Sequence, residues 1–438
     1  MKKVLMVAYA LPPVGGAGVQ RSAKFIKYLK YFGWEPIVLS VKNPSVPLYD
    51  PHQTDDIPPG TRIYRARTLE PNYKLKRKFI AGEDKNTNSG NIIKFMKWFK
   101  NGLMIPDPQI LWWPGLFLSL LKIIKKESLD CLFVTAPPFS SLVPVVFVGK
   151  LLGIPVVIDF RDDWRFYRLH MENAVKTPFA ALVDRILERY VVLNCAAIIA
   201  ATASYVNNLM ARYPFSNTKK GHVITNGYDA NDFHTFQEKS KAKKSAQKIH
   251  FLYSGTVWRA TSLFPFFEAI SGLVRDYPEI KTKLQITIMG RVVGLERNFF
   301  SNGCLQGIVD LKGYVPHDKV IEALSAADVL VITLSDICGA NQIIPAKTFE
   351  YMATGKPILA IVPEGETSRL LTAEYENAAV FHPNDTDLIG KYVLELLTKQ
   401  KTILVEKRIN ILKYERKVLT KKLAAVFSSL KENVNDAQ

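Results

Sequence analysis

The chain is poor in the residues that build disulfide or metal scaffolds. Its four cysteines, Cys131, Cys195, Cys304 and Cys338, lie far apart, and none forms a C-x-x-C pair. That pattern argues against a disulfide framework or a zinc site and fits a reducing compartment. The seven histidines are scattered without an H-x-x-x-H pair, so a metal site is not expected. No uncharged apolar run reaches the ~18 residues that a membrane-spanning helix needs. Short-period repeats are absent, as are helix-turn-helix, RRM and zinc-finger signatures. Acidic residues are also in deficit: 40 Asp and Glu stand against 58 Lys and Arg, a net charge of +18. Such a balance favours an anionic partner, whether nucleic acid, a phosphorylated small molecule or an anionic membrane face; the plainer reading is a soluble, lysine-rich surface.

What is present is enough apolar material for real cores. Hydrophobic residues make up 48% of 438 positions, too many for disorder and, at this length, enough for two domains. The opening "MKKVLMVAYALPPVGGAG" has a basic start and an apolar run at 4–11, short for a secretory leader. It reads as the buried first strand of an α/β domain, because a glycine-rich loop and an amphipathic helix follow. Short aliphatic runs recur at 4–8, 36–40, 131–135, 155–160 and 197–202, and again at 250–254, 285–289, 308–311, 329–333, 357–362 and 378–381. Continuous β-branched runs separated by helical patterns predict parallel strands buried on both faces. The fold class is therefore α/β, with two Rossmann-like halves. The polar, lysine-rich stretch 238–248 is the natural linker. This gives an N-terminal domain over 1–237 and a second starting at 249. Ligands of open parallel sheets bind at the carboxyl ends of strands, so two such domains facing each other would make a cleft.

One insertion, at about 73–126, breaks the alternation. It holds "YKLKRKF" and then "NIIKFMKWFKNGL", with Lys94, Lys97 and Lys100 on one side and aromatics on the other. A cationic, aromatic amphipathic helix at 92–100 is the pattern of an in-plane membrane binder. The apolar stretch 116–124 is expected instead to pack on the N-terminal sheet.

Several strand ends carry chemistry. Gly15, Gly16 and Gly18 stand between a strand and a helix, where backbone amides can approach a ligand; a tight turn explains them as well. "VVIDFRDDW" clusters Asp159, Arg161, Asp162 and Asp163 at a strand's carboxyl end, either as cleft residues or as a surface ion network. Thr135 ends the third strand, with Ser140 and Ser141 just beyond it, where they can line a cleft. In the second half, "YSGTVWRA" and "ITIMGRV" place Gly255 with Arg259, and Gly290 with Arg291, at strand ends. "IIPAKTFEYMATGKPILA" predicts a helix with Pro345 at its first position, Lys347 in the first turn, Glu350 near the N-terminal end and Gly355 as C-cap, followed by a strand. An early-helix carboxylate such as Glu350 can accept hydrogen bonds from two vicinal hydroxyls, as in a ribose.

The ordered set "GGAGVQR", "ITNGYDANDF", "YSGTVW", "IMGRV", "LKGYVP", "ALSAADVLVI" and "PAKTFEYMATGKPILA" resembles the family-4 glycosyltransferases of the GT-B fold, over almost the whole chain. The resemblance implies a retaining transferase that takes a nucleotide-diphosphate sugar on its C-terminal domain (249–408) and an acceptor on its N-terminal one. The stretch 409–438 would be a final helix crossing back to the N-terminal domain. Glu350 matches the family's ribose-binding glutamate. The family's first glutamate falls at Gln342, which can hydrogen-bond a sugar hydroxyl but carries no charge. Arg259 matches the diphosphate-binding arginine, its usual lysine partner is missing, and Lys347 is placed to replace it. The loop at 15–18 matches the family's phosphate-side loop.

The expected chemistry is sugar transfer to a carbohydrate or lipid-linked acceptor in bacterial capsule, exopolysaccharide or lipopolysaccharide synthesis. Arg259 and Lys347 would offset the leaving diphosphate, with Asp162 or Asp163 orienting the acceptor. Gly15, Gly16, Gly18, Gly255, Gly290, Arg291, Gln342 and Glu350 would hold the donor. No metal and no cofactor is called for, since the nucleotide-sugar is a substrate. The expected location is cytoplasmic, with peripheral contact to the inner face of the plasma membrane; an anionic membrane surface is a candidate partner and nucleic acid is not. Three other readings compete: a GT-B epimerase or phosphorylase, the latter without a visible pyridoxal-lysine motif; a basic nucleic-acid-binding protein, suggested by the +18 charge; and a catalytically inactive GT-B scaffold, suggested by Gln342.

Overall fold

The computed structural model describes residues 1–46, 50–73, 75, 104–166, 177–214, 221–233, 248–293, 305–398 and 411–435. The stretch 92–100, and all of 238–248 except Lys248, lie outside these residues. The chain divides into two compact units, Met1–Thr225 with Lys417–Gln438, and Asn226–Arg416. It passes from one to the other at Thr225, upstream of the lysine-rich stretch, and returns at Lys417.

The first unit is built on seven parallel strands: β1 (Lys2–Val7), β2 (Trp34–Val41), β3 (Arg62–Ala66), β4 (Cys131–Ala136), β5 (Val156–Phe160), β6 (Ala197–Ala200) and β7 (Gly221–Val223). Their order is β3-β2-β1-β4-β5-β6-β7. The chain works outward from β1 to β3 and then returns beside β1, which puts a topological switch point at the carboxyl ends of β1 and β4. Side chains alternate between two cores. Leu5 and Val7 enter the one formed under helices α2 (Trp113–Lys126), α3 (Leu142–Leu152), α4 (Pro178–Asn194) and α5 (Ala203–Arg212). Val4 and Met6 enter the other, with Phe25 of α1 (Ala17–Leu29). Burial on both faces is why these strands read as unbroken apolar runs.

Strands β3 and β7 escaped the pattern for the opposite reason. They are the two edges, and "RIYRA" and "GHV" are half-exposed, polar or short, as edge strands must be to resist further pairing. The stretch 116–124 packs as expected: Leu116, Leu120 and Ile123 of α2 are buried in the core.

The second unit repeats the plan with β8 (Ile249–Ser254), β9 (Leu284–Met289), β10 (Val309–Gly313), β11 (Val329–Thr333), β12 (Ile358–Ile361) and β13 (Ala378–Phe381), all parallel in the order β10-β9-β8-β11-β12-β13. Its switch point lies at the carboxyl ends of β8 and β11. Helices α6 (Phe264–Asp276) and α10 (Thr386–Thr398) cover one face, and α7 (His317–Ala326), α8 (Ala346–Thr354) and α9 (Glu366–Glu374) the other. The last helix, α11 (Arg416–Asn435), belongs to the first unit's core: Leu419, Leu423 and Phe427 are buried there, and the Phe427 ring lies 5.2 Å from Trp34 and 5.9 Å from Phe133. Among the described residues no helix is long and apolar enough to cross a membrane.

Candidate functional site

In the second unit the ends of three strands are laced together by backbone. Gly255 follows β8 with φ +131°, and Gly290 follows β9 with φ +150°. The Gly255 N–H donates to Met289 O at 2.7 Å, and the Gly290 N–H to Gly313 O at 2.6 Å. A side chain on Gly290 would collide with the Gly255 carbonyl, so the close approach demands glycine twice, by conformation and by space.

Helix α8 aims its first turn at this place. Pro345 is the N-cap rather than the first helical residue, and Gly355 closes the helix in the left-handed conformation. Lys347 donates from Nζ to Ser254 O at 2.8 Å and lies 3.5 Å from the centroid of the Tyr253 ring. Burial holds its pKa well below the usual lysine value, with the Glu350 charge pulling the other way. Tyr351 locks the same strand end: its hydroxyl accepts the Ser254 N–H at 2.8 Å and sits 3.1 Å from Ser254 Oγ. Glu350 is largely covered, its side chain 12% exposed, and its Oε1 lies 3.0 Å from Nε2 of His317, the first residue of α7. Arg259 and Arg291 are exposed on neighbouring segments, which the Val257 N–H joins through Arg291 O at 2.8 Å. Gln342 ends the turn Ala340–Gln342, shortly before α8 begins.

In the first unit the switch point carries a second cluster. Arg161, just after β5, donates to Gly18 O at 2.5 Å, to Ala136 O at 3.3 Å and to Pro137 O. Its guanidinium occupies the space a Gly18 side chain would need, so Gly18 has a packing reason to be glycine. Gly16 differs: open space surrounds it, and its φ of +116° is what requires glycine. Beneath the loop, Arg21 and Asp159 form a fully buried pair at 2.7 Å, with Thr135 Oγ1 donating to Asp159 at 2.9 Å and Arg21 also bonding Ile224 O and Thr225 O.

The two adjacent aspartates part company. Asp163 is buried and spent on structure: it accepts from the Arg165 and Phe166 N–H groups, from Asn208 and from Arg212 at 3.1 Å. Asp162 is half-buried and hydrogen-bonds no group among the described residues. Desolvation pushes its pKa from 3.8 up to about 6, against the pull of Arg161 and with help from Asp163 and Asp159.

The sequence of residues 249–399 matches the family described as glycosyl transferases group 1, and residues 95–232 match glycosyltransferase family 4. The fold agrees. Anabaena HepE, solved with UDP-glucose, superposes at a TM-score of 0.61 with 12% identity, over 100% of this chain and 100% of that one. The chain is a family-4-like glycosyltransferase of the GT-B fold. A point mutant of S. aureus TarM, in complex with fondaparinux, alpha-GlcNAc-glycerol and UDP, superposes on the glycosyltransferase at 0.62 with 12% identity, covering 98% of this chain and 100% of TarM. The lipopolysaccharide outer core galactosyltransferase WaaB does so at 0.57 with 12% identity, covering 98% and 99%. No curated protein matches the glycosyltransferase in sequence.

The structure thus gathers Gly255, Gly290, Arg291, Arg259, Lys347 and Glu350 of the glycosyltransferase at one set of strand ends, with Gln342 on the turn leading into α8. It leaves Asp162 available and commits Asp163 and Gly18 to packing. Sequence reasoning missed His317 and Tyr351. His317 follows "GYVP" and opens a helix, a weak signal; its pairing with Glu350 spans 33 residues and shows only once α7 and α8 pack side by side.

Proposed function

We propose that this glycosyltransferase is retaining and moves a sugar from a nucleotide-diphosphate sugar to a carbohydrate or lipid-linked acceptor in bacterial surface-polysaccharide assembly. The observation that carries the donor half is Glu350, a lone, largely covered carboxylate on α8, beside a desolvated lysine and a glycine-built strand end. Glu350, oriented by His317, takes the ribose hydroxyls. The Gly255 and Gly290 turns let the donor approach the backbone, and Gln342 reaches a sugar hydroxyl. Lys347, Arg259 and Arg291 supply the positive charge that offsets the leaving diphosphate. These cations leave no step that calls for a metal, and no cofactor enters. The acceptor oxygen bonds to the anomeric carbon on the face from which the diphosphate departs. The carbon–oxygen bond to the diphosphate breaks, and the acceptor proton passes to a leaving diphosphate oxygen. Asp162 orients the acceptor in the first unit, near the Gly15 and Gly16 loop.

Support comes from HepE, solved with UDP-glucose, and from WaaB, a lipopolysaccharide galactosyltransferase. A lipid-linked acceptor would bring the enzyme to the cytoplasmic face of the plasma membrane. Thermal-shift measurements with UDP-, GDP-, ADP- and CMP-sugars test the donor assignment: the true donor raises the melting temperature by mass action. Glu350→Ala should weaken that donor by about 1–3 kcal/mol, the usual worth of charge-assisted hydrogen bonds. A chain that no nucleotide-sugar stabilises, or a folded Glu350→Ala variant with unchanged donor affinity, would defeat the reading.

A further inference from the structure

Helices α2, α3 and α4 lie side by side on one face of the first unit's sheet, with α3 in the middle. Their inner sides are core. Their outer sides are not the polar surface that a solvent-facing helix normally shows. Leu118, Leu151, Phe179, Leu182 and Ile186 are each more than half exposed, and Phe147 is nearly so. The three helices are tied together on this side: the Phe117 and Phe147 rings, 6.5 Å apart, join α2 to α3, and Lys150 joins α3 to α4 through Asn194 at 2.6 Å. An apolar area of this extent on an otherwise polar surface marks a place where something docks.

The charges on the same helices are sorted by sign. Helices α2 and α3 contain no acidic residue. Helix α4 contains two, and both are turned inward: Asp184 accepts the Trp164 indole N–H at 3.0 Å, and Glu188 is buried against Arg165, Arg212 and Tyr213. Its arginines, Arg185 and Arg189, face outward, as do Lys122, Lys125, Lys126 and Lys150. A helix that looks charge-balanced in sequence therefore shows only positive charge on its outer side.

Apolar side chains studded with cations, and no outward carboxylate among the described residues of the three helices, match the chemistry of a bilayer with anionic headgroups. A protein partner would need a matching apolar and acidic patch. A second copy of this chain would set this cationic face against itself, which like-charge repulsion opposes. We propose that the outer face of α2, α3 and α4 docks the protein onto an anionic membrane, with the apolar side chains entering the headgroup boundary and the lysines and arginines lying at the phosphates. This deepens the reading above, on which it rests only for the nature of the acceptor.

The test is flotation of the full-length protein with vesicles of phosphatidylglycerol and phosphatidylcholine, compared with phosphatidylcholine alone, in the absence of any donor. Wild type is expected to bind the anionic vesicles at low salt and to bind more weakly, though still measurably, at high salt, because screening removes only the charge part. Arg185→Glu with Arg189→Glu is expected to weaken binding ~30-fold or more, at about fivefold for each basic group near the leaflet. Leu151→Ser, Leu182→Ser and Ile186→Ser together are expected to weaken it at least ~10-fold, including the part that survives high salt. All these side chains are exposed, so melting temperatures and the donor-induced shift should stay near wild type. If the serine variant fails to fold, the arginine pair carries the test. Wild type that ignores anionic vesicles at low salt, or variants that bind them like wild type, would overturn the proposal. So would variants that break up a wild-type dimer while leaving vesicle binding intact, since a second copy would then be what covers the face. A missing donor shift would count against the catalytic reading alone.

Discussion

Replacing Lys347 by methionine is expected to lower turnover by about 10²–10³, the usual cost of removing one preorganised group that stabilises developing charge in a dry site. The change removes the ammonium that lies over the Tyr253 ring and keeps an unbranched side chain of similar length. Stability should move little. The hydrogen bond to Ser254 O is lost, at about 1 kcal/mol, but so is a buried cation. Because burial lowers the folded-state pKa of Lys347 below the ordinary lysine value, its charge destabilises the empty fold wherever it stays protonated in the unfolded chain. A bound diphosphate reverses that by pairing with the ammonium. Donor binding should therefore take up protons, and donor affinity should fall as pH rises through the depressed Lys347 pKa. Titrations at several pH values in wild type and Lys347→Met check this. A methionine variant with wild-type turnover at saturating donor, or with the same pH profile of donor affinity, would place the diphosphate elsewhere.

Asp162→Asn is expected to stabilise the protein while cutting turnover about 100-fold, the scale on which a misplaced reactant slows a reaction. The sign follows from the raised pKa. With a folded value of about 6 against an ordinary 3.8, the carboxyl favours folding when protonated. That contribution is complete below pH 3.8, fades as pH rises through about 6, and is absent at neutral pH. The penalty at neutral pH is as much as ~3 kcal/mol by linkage, and smaller to the extent that water reaches a half-buried group. Asparagine keeps the shape without the charge, so its gain in melting temperature should be largest near pH 7 and vanish at acid pH. In wild type, transfer to a soluble acceptor should decline below about pH 6 as Asp162 protonates, and that limb should be missing from the variant's residual activity. Asp163→Asn makes the contrast: it cuts into the Arg212 and Asn208 network and should destabilise. A destabilised Asp162→Asn variant with full activity would make Asp162 a structural group.

How far the sequence reached depends on how local each interaction is. The central strands were legible because a strand covered on both faces must be apolar almost throughout, as β11 and β12 are. The helix carrying Lys347 and Glu350 was legible because its proline, its glycine cap and the strand after it are consecutive. Edge strands β3 and β7 were hidden because exposure lets their composition resemble loops.

The sequence by itself determined the α/β class, the paired sheets, and the family to which the ordered glycine turns and the α8 segment point. These follow from periodicity and from residues within a few positions of one another. Only the tertiary structure decided which like residues differ in role. Asp162 and Asp163 are neighbours of identical chemistry, yet Arg212, 49 residues beyond Asp163, claims one and leaves the other desolvated. His317 reaches Glu350 across 33 residues. Helix α4 reads as balanced in charge until Trp164, Arg165, Arg212 and Tyr213 hold Asp184 and Glu188 inward and leave Arg185 and Arg189 outside. Whether a charge is paired, dried or exposed depends on what the fold sets against it, and those neighbours come from distant parts of the chain.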